Sequence, residues 1–303
     1  MLTTFDSLGL TVLERGWLSS NSTVIVDGNE GWVVDSGYAS HAPQTVELVQ
    51  QVLGARKLVG ILNTHLHSDH CGGNAALSSR FAGVQTWIPP GQADAVRRWD
   101  VNALTYQPTG QQCDQFSFDG LLQPGDEVRL GPARWEVHAA PGHDPHAVLL
   151  FQRQHRVLIS GDALWENGFG VVFPELEGLD AFHEVANTLD LIQSLAPTVV
   201  IPGHGRPFEN VPAALDRAHK RLDQFLAAPH RHAEYAAKVL VKFHLLDRQR
   251  LRQTDLEEWY RSTPYFALVS QHRPDLDLTL PHLLDKLVSS SAAEIQGEWV
   301  IDR

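Results

Sequence analysis

The segment at residues 65–70 reads His-x-His-x-Asp-His and places four potential metal ligands within six residues. It directly follows a short apolar run that predicts a buried strand. Alternate side chains of an extended segment point to the same side, so His65 and His67 can bind one metal ion. The chain must then turn before Asp69 and His70 can reach a second ion. Imidazole and carboxylate groups together favour zinc, so this segment predicts a metal site.

Each of three later segments places one potential ligand beside a glycine, just after a predicted strand. These segments are Pro141-Gly142-His143, Gly161-Asp162 and Pro202-Gly203-His204. In layered α/β folds, the loops at strand ends converge to form binding sites. Together with the segment at residues 65–70, these loops carry five histidines and two aspartates. A single shared site explains this better than coincidence. We therefore predict a single centre made by His65, His67, Asp69, His70, His143, Asp162 and His204.

The elements that must position these loops alternate between strands and helices over the first part of the chain. Strand-like runs lie at residues 22–26, 31–34, 58–62, 134–140, 147–152, 156–160 and 198–201. Helical spacing covers residues 42–53 and 180–195, and residues 102–120 predict a surface loop or lid. Such alternation is typical of a layered α/β fold.

The pattern changes after residue 212. Helical spacing is seen at residues 213–228, 232–246 and 280–289. A capping-box pattern at residues 254–257 predicts a further short helix, and residues 295–301 predict a terminal strand. We therefore divide the chain into a catalytic domain of residues 1–212 and a small C-terminal domain of residues 213–303. The second domain is predicted to be mainly helical, and its terminal strand allows a winged-helix-like shape.

Charge and composition limit the classes of function. The chain has 303 residues and a formal net charge of −12. Acidic and basic residues are equal in number after residue 212, so the excess lies in the first part, where two divalent cations would offset some of it. No basic stripe is present in the sequence, which argues against nucleic-acid binding through phosphates. Without a visible signal peptide, membrane-spanning run or disulfide scaffold, we expect a cytoplasmic protein.

The ligand motifs resemble those of the metallo-β-lactamase superfamily, and of its glyoxalase II-like dinuclear hydrolases in particular. The resemblance covers residues 21–207, where the later His, Asp and His occur in the family's usual order. It includes Asp35-Ser-Gly37, which is similar to the family's early Asp-x-Gly. The resemblance implies an α/β fold of the four-layer αββα sandwich type, with the site along one edge of the sheets.

The resemblance also implies how the ligands divide between two divalent ions, zinc before iron or manganese. The first ion would be held by His65, His67 and His143, the second by Asp69, His70 and His204, and Asp162 would bridge the two. Asp69 would in addition be catalytic, since it could orient the attacking hydroxide and pass its proton to the leaving group.

From these residues we predict a hydrolase in which a metal-bound hydroxide attacks the acyl carbon of a thioester or ester. Its partner would be a small-molecule acyl substrate rather than nucleic acid or a membrane, and the second domain could support a homodimer. The alternatives are a lactonase, a nuclease, a sulfur dioxygenase with a single iron, and a signalling or interaction protein that retains its metal. The carboxylate at Asp162 argues against β-lactam hydrolysis, because the familiar dizinc β-lactamases have cysteine there or lack the bridge.

Three features outside the ligand set have less defined roles. His146 is interpreted as a surface residue, with contact to the site or its substrate as the alternative. Trp165 and the glycine- and aromatic-containing segment 166–173 could form a pocket wall or simply pack. Cys71 resembles a packing residue more than a nucleophile, because the sequence offers no activating base beside it other than the metal ligands.

Overall fold

The computed structural model describes the whole chain apart from the side chain of Leu2. Two β-sheets form its centre. The first sheet contains, in spatial and chain order, β1 (Leu10–Leu13), β2 (Ser22–Asp27), β3 (Glu30–Val34), β4 (Lys57–Leu62), β5 (Gln85–Ile88) and β6 (Gly120–Leu121). The first three strands pair antiparallel, and the strands from β3 to β6 pair parallel.

The second sheet has the spatial order β11-β10-β9-β8-β7. Its strands are β7 (Glu127–Leu130), β8 (Ala133–Ala139), β9 (Val148–Gln152), β10 (Val157–Gly161) and β11 (Val199–Pro202). Only β10 and β11 pair parallel in this sheet. All strands predicted in the first part of the chain are therefore confirmed, and no bound shifts by more than one residue.

The helices of the first part of the chain lie outside these sheets. They are α1 (Leu2–Leu8), α2 (Ala42–Leu53), α3 (Ser68–Cys71), α4 (Asn74–Arg80), α5 (Ala93–Arg98), α6 (Phe173–Leu176), α7 (Phe182–Leu195) and α8 (Val211–Ala227). Residues 101–119 form turns and irregular backbone before β6, as predicted for a loop.

The remaining chain continues with helices and a small sheet. Its elements are α9 (Pro229–Arg248), β12 (Arg250–Arg252), α10 (Gln253–Ser262), α11 (Pro264–His272), α12 (Leu280–Ser289), β13 (Ala293–Gln296) and β14 (Trp299–Asp302). The three strands pair antiparallel in the order β12-β14-β13.

Buried apolar side chains define four layers. Between the sheets, Ile25 and Leu62 of the first sheet pack with Trp135 and Ile159 of the second. On the outer face of the first sheet, α2 and α4 contribute to a cluster that contains Val24, Val33, Val49, Leu53, Ile61 and Leu77. On the outer face of the second sheet, α7 and α8 contribute to one that contains Leu149, Leu158, Leu189, Ile192, Val200 and Ala218. The αββα sandwich implied by the resemblance is confirmed.

Three details of the C-terminal part differ from the prediction. The segment 295–301 forms a hairpin of two strands that turns at Gly297, which has a positive φ of 60°, and not a single strand. The pattern at residues 254–257 does not act as a capping box, because α10 already begins at Gln253, whose N–H donates to the Glu298 carbonyl in the hairpin turn. Helix α11 was not predicted.

The helix predicted at residues 213–228 begins two residues earlier in the structure. Helix α8 begins at Val211, with the Asn210 side chain accepting a hydrogen bond from the N–H of Ala213. Its apolar face packs on the second sheet, in the same cluster as α7. The division of the chain at residue 212 stays a prediction. No helix of the described chain is both long and apolar enough to cross a membrane.

Candidate metal centre

Four loops at strand ends carry the seven predicted ligands. The segment after β4 bends at Thr64 and His65, is extended at His67 and then enters α3, which holds Asp69 and His70. His143 follows β8, Asp162 follows β10 and His204 follows β11. Because these strands end at the same edge of the sandwich, the structure brings all seven side chains together.

The first group of potential ligands consists of His65, His67 and His143. One ring nitrogen from each lies within 4.8 Å of the others. Nδ1 of His67 and Nε2 of His143 are 2.7 Å apart, facing each other. Three imidazoles that converge in this way are a donor set suited to zinc.

The second group consists of Asp69, His70, Asp162 and His204, whose potential ligand atoms also lie within 4.8 Å of one another. Nε2 of His204 is 3.0 Å from Oδ2 of Asp69. Nε2 of His70 is 3.3 Å from Oδ1 of Asp162. This mixture of nitrogen and carboxylate oxygen ligands also suits a divalent transition metal.

Asp162 lies between the two groups. Its Oδ2 is 3.5 Å from Nε2 of His143, which belongs to the first group, while its Oδ1 faces His70 of the second. Trp165 fixes the carboxylate by donating its indole N–H to Oδ1 across 3.1 Å. The position is the one that a bridging ligand needs.

Glycine is required beside Asp162. At Gly203, a Cβ atom would overlap Oδ1 of Asp162 and crowd the ring of His70. At Gly161, the positive φ of 50° is combined with close contact to the Thr64 side chain. The glycines in the Gly-Asp and Pro-Gly-His motifs therefore let two loops approach closely enough to join the ligands.

Unpaired nitrogen atoms indicate that the site fits metal ions. Nε2 of His65 and Nε2 of His70 are buried, and no described group forms a hydrogen bond with them. Leaving such atoms without a partner costs free energy, and buried polar groups are therefore normally paired. A metal ion would provide the missing partner, so the donor set fits divalent ions.

The electrostatics of the site also favour cations. Burial lowers the pKa of His67 and of His143 to about 4, so both imidazoles are neutral at pH 7, the form that binds metals. Burial also lowers the pKa of His70, but the carboxylates of Asp35, Asp162 and Asp69 outweigh it and raise this pKa well above 6.5. The carboxylates thus create a negative potential that metal ions would balance.

Further groups orient the histidines. Asp35 accepts a hydrogen bond from Nδ1 of His70 at 2.8 Å and two more from the N–H and hydroxyl of Thr64. The Val171 carbonyl accepts a hydrogen bond from Nδ1 of His143. These contacts direct the Nε2 atom of each ring toward the centre, an arrangement that is common around metal-binding histidines.

A cavity of about 310 Å³ opens over the two groups. Trp17, Trp165 and Phe173 form its aromatic walls, and Trp17 stacks on His204 with ring centroids 5.4 Å apart and planes at 12°. The loop at residues 101–119 and helix α9 supply the remaining walls. The floor is lined by five of the predicted ligands, namely His67, Asp69, His143, Asp162 and His204. The potential ligands are therefore accessible to a small molecule.

Residues 15–204, more than half of the chain, match the family model of the metallo-beta-lactamase superfamily. The chain belongs to this superfamily. Its members bind divalent metal ions, in agreement with the two donor groups at the centre. The superfamily and the fold predicted from the sequence are both confirmed.

Two curated relatives match part of the chain. The mitochondrial persulfide dioxygenase ETHE1 of Homo sapiens is 31% identical over 129 residues, which cover 43% of this chain and 41% of that protein. A hydroxyacylglutathione hydrolase of Bdellovibrio bacteriovorus is 30% identical over 144 residues, which cover 48% of this chain and 47% of that protein. The chain thus spans less than half of the length of either relative.

A solved structure extends the likeness to the C-terminal part. The crystal structure of a metallo-beta-lactamase family protein from Thermus thermophilus has a TM-score of 0.57 and 20% identity, and the match covers 97% of this chain and 99% of that one. At this identity the likeness shows the fold alone. The fold therefore includes the helices that follow the superfamily's sandwich.

The structure also places the residues of uncertain role. His146 is exposed, as expected of a surface residue, whereas its neighbour Asp144 is buried with Oδ2 3.6 Å from Nε2 of His67. Trp165 and Phe173 line the cavity, and Phe173 also packs in the core. Cys71 is buried and its thiol contacts the Tyr106 hydroxyl at 3.1 Å, which agrees with a packing role.

Three contributions were missed by reasoning from the sequence. Asp144 follows His143 directly, and this adjacency was a signal for a second carboxylate near the centre. Trp17 gave no local signal, because it lies far from every ligand in the chain. Helix α9 was recognised as a helix, but its second apolar face was not connected to the site.

Proposed function

We propose that this protein is a hydrolase that uses two zinc ions to cleave a thioester or ester at the acyl carbon. The observation that carries this proposal is the accessible pair of donor groups with Asp162 between them. Two such groups in one centre favour a pair of ions over a single one. The hydroxyacylglutathione hydrolase among the relatives supports this class of reaction.

The proposed metal ligands have separate tasks. His65, His67 and His143 would hold the first ion, Asp69, His70 and His204 the second, and Asp162 both. When bound, the ions would lower the pKa of water toward neutrality and polarise the acyl carbonyl. Trp165 and Asp35 would hold Asp162 and His70 in place while the substrate reacts.

Asp69 is the group proposed to move a proton. Unlike His70, which is fully buried, Asp69 lines the cavity and is partly exposed, with Oδ2 held 3.0 Å from His204. From there a carboxylate can accept a proton at the cavity floor and return it to the departing group. The indole ring of Trp17 stacks on the same His204.

A dioxygenase is the second candidate, because the human persulfide dioxygenase is among the relatives. Because the second donor group is complete, the centre suits two ions better than a single iron, which favours hydrolysis over oxygenation. The apolar cavity walls and the equal numbers of acidic and basic residues after residue 212 give no support to a nuclease.

The test is a metal analysis combined with an activity panel on the full-length protein. We expect two zinc ions per chain and turnover of thioesters or esters in a panel that also contains lactones, phosphodiesters and β-lactams. Asp162→Asn should remove one ion and lower turnover by about a thousandfold, the upper range for loss of one electrostatic contact in an active site. Asp216→Asn, on the exposed face of α8, is the matched control. One iron per chain, with oxygen consumed and no ester cleaved, would contradict the proposal.

A further inference from the structure

Helix α9 carries apolar side chains on two different faces. The first face packs in the C-terminal core through Ala233, Ala236, Ala237, Val241 and Leu245. The second face is the α9 stripe, which consists of Tyr235, Val239, Phe243 and Leu246. These residues are spaced by three or four positions, so they lie along one side of the helix. Tyr235 and Val239 also pack against the C-terminal core, whereas Phe243 and Leu246 are not among its residues, so core packing does not explain the whole stripe.

The α9 stripe lines the same cavity as the metal ligands. Its four side chains are half-buried, in contrast to the fully buried first face. A concave apolar surface that adjoins a reactive centre and is open to water is typical of a small-molecule site, and the volume of about 310 Å³ suits one. The cavity therefore has a reactive floor and an apolar wall that can hold a group which does not react.

The charges of the cavity lining limit the chemistry of a substrate group that packs against the α9 stripe. Among the described residues that line it, Lys242 is the one with a permanently cationic side chain. Its Nζ is directed to the C-terminus, where it donates to Asp302 at 2.6 Å and to the carbonyls of Ala292 and Arg303. The ammonium group is thus already paired. Arg221 stacks on the ring of Tyr235, 4.7 Å from its centroid, but does not line the cavity. A carboxylate or phosphate on the bound group would therefore find no free cation among the lining residues, and burying it there would cost free energy.

The wall contributed by the loop at residues 101–119 is polar but uncharged. It consists of Thr105, Thr109 and Gln111. The hydroxyl of Thr109 donates to the Thr105 carbonyl at 2.6 Å, and Oε1 of Gln111 accepts a hydrogen bond from Ser68 at 2.5 Å. This wall also provides no ion pair for a charged substrate.

We propose that the substrate is uncharged away from its reacting group and carries an apolar arm that packs against the α9 stripe. Tyr235, Val239, Phe243 and Leu246 then determine specificity, while the ligands at the floor perform the reaction. This inference rests on the proposed function, because the arm needs a reacting acyl group at the metal centre.

The first test compares two series of esters with the metal-loaded, full-length protein. In one series the acyl chain grows from two to ten carbons with a constant leaving group, and in the other the alcohol chain of an acetate ester grows instead. We expect kcat/KM to rise in at least one series, by up to about fourfold per methylene, which is the value of 0.8 kcal/mol per buried CH₂. A carboxylate at the end of the longer chain should abolish this gain.

Truncation of the α9 stripe should reduce the preference for long chains. We expect Val239→Ala and Leu246→Ala to lower kcat/KM for the longest favoured ester by about tenfold and for the shortest ester by much less, so that the slope against chain length falls. Leu226→Ala is the matched control, because Leu226 is an apolar residue of α8 that is 54% exposed and lies outside the cavity lining. Phe243 is left intact, since it packs on Tyr38 and its truncation could disturb the fold.

A binding measurement separates this inference from the proposed reaction. Linear alcohols from butan-1-ol to decan-1-ol should quench or shift the fluorescence of Trp17 and Trp165, with a Kd that falls as the chain grows and rises again in Leu246→Ala. If no ester is cleaved, the proposed function fails, and the alcohols still test the stripe. No dependence on chain length in any series, or a preference for chains that end in a carboxylate, would overturn the inference.

Discussion

The floor of the cavity and its α9 wall are held in place in different ways. At the floor, seven histidine and aspartate side chains converge from four loops. Hydrogen bonds donated to Asp35 and the Val171 carbonyl, and one donated by Trp165, fix the orientation of individual groups. At the wall, apolar side chains of one helix are positioned by packing, because the other face of that helix is buried in the C-terminal core and Phe243 packs on Tyr38. The floor is fixed by directional contacts and the wall by packing.

This difference predicts that the two regions respond differently to substitution. A metal ion requires ligand atoms at defined positions, so loss of one orienting hydrogen bond at the floor should affect metal affinity strongly. The wall interacts through apolar contact area, which is not directional, and each methylene contributes a small and graded amount. Substitutions at the floor should therefore change whether the protein binds metal and reacts, and those at the wall should change which substrate it prefers.

The largest effect outside the ligands is expected at Asp35. Asp35→Ala removes the acceptor of the His70 Nδ1 hydrogen bond, which lets the ring rotate away from the position required by the second ion. We expect zinc affinity to fall by about ten- to a hundredfold, as is typical for loss of a partner behind a metal ligand. Competition with a coloured chelator would measure it.

A control is needed because Asp35 also accepts two hydrogen bonds from Thr64, so its loss can weaken the fold. Asp27→Ala, at the end of β2 and away from the centre, is the matched variant, and urea unfolding of both proteins separates stability from affinity. If zinc affinity is unchanged in a folded Asp35→Ala protein, then directional contacts do not determine how the floor binds metal.

The floor could be predicted from the sequence because each of its loops carries a local signal. His65, His67, Asp69 and His70 are neighbours in the chain, and His143 and His204 each follow a strand and a glycine. No comparable signal existed for the wall, because the α9 stripe is apolar like any other helical face. Its role depends on where packing directs that face, which local spacing does not show. The start of α10 was missed for the same reason, since Gln253 donates to Glu298 of a distant segment. The hairpin at Gly297 pairs neighbouring segments, and its glycine was a local signal that was overlooked.

The junction between the two regions offers a second test. His232, near the beginning of α9, is buried and its Nε2 accepts a hydrogen bond from the N–H of Val172 at 3.0 Å. The neighbouring Val171 carbonyl accepts the hydrogen bond from His143. Burial, together with the positive charge of Arg221, lowers the pKa of His232 to about 3. His232 thus joins α9 to the floor only in its neutral form.

This pKa predicts how stability depends on pH. The unfolded chain binds the proton near pH 6.5 and the folded chain only near pH 3, so the contribution is complete above pH 6.5 and decreases as the pH falls below it. Between pH 7.5 and pH 5.5 the free energy of unfolding should fall by about 1.4 kcal/mol through this residue. At pH 5.5, one unit below the pKa of the unfolded histidine, protonation favours the unfolded chain by that amount. Urea unfolding at both values would measure it.

His232→Gln is the suitable comparison, because its side-chain carbonyl can still accept the Val172 hydrogen bond but does not titrate. The variant should lose about 1.4 kcal/mol less than the unchanged protein over the same range. Equal losses in the two proteins would mean that the junction does not respond to protonation, and that the wall is held by the apolar core alone.

The smallest effect is expected at Trp17, which forms part of the aromatic wall beside the floor and is 58% exposed. Its ring stacks on His204 and lies edge-on to Trp165, both with centroids 5.4 Å apart. Aromatic pairs of this kind contribute about 0.5–1.5 kcal/mol.

Since Trp17 makes no directional hydrogen bond to a ligand in the described contacts, Trp17→Ala should lower kcat/KM by about threefold and leave zinc affinity nearly unchanged. Leu179→Ala, which alters a residue that is 60% exposed outside the cavity lining, should change neither value. A loss of zinc affinity as large as that of Asp35→Ala would show that apolar stacking, and not only hydrogen bonding, fixes the floor.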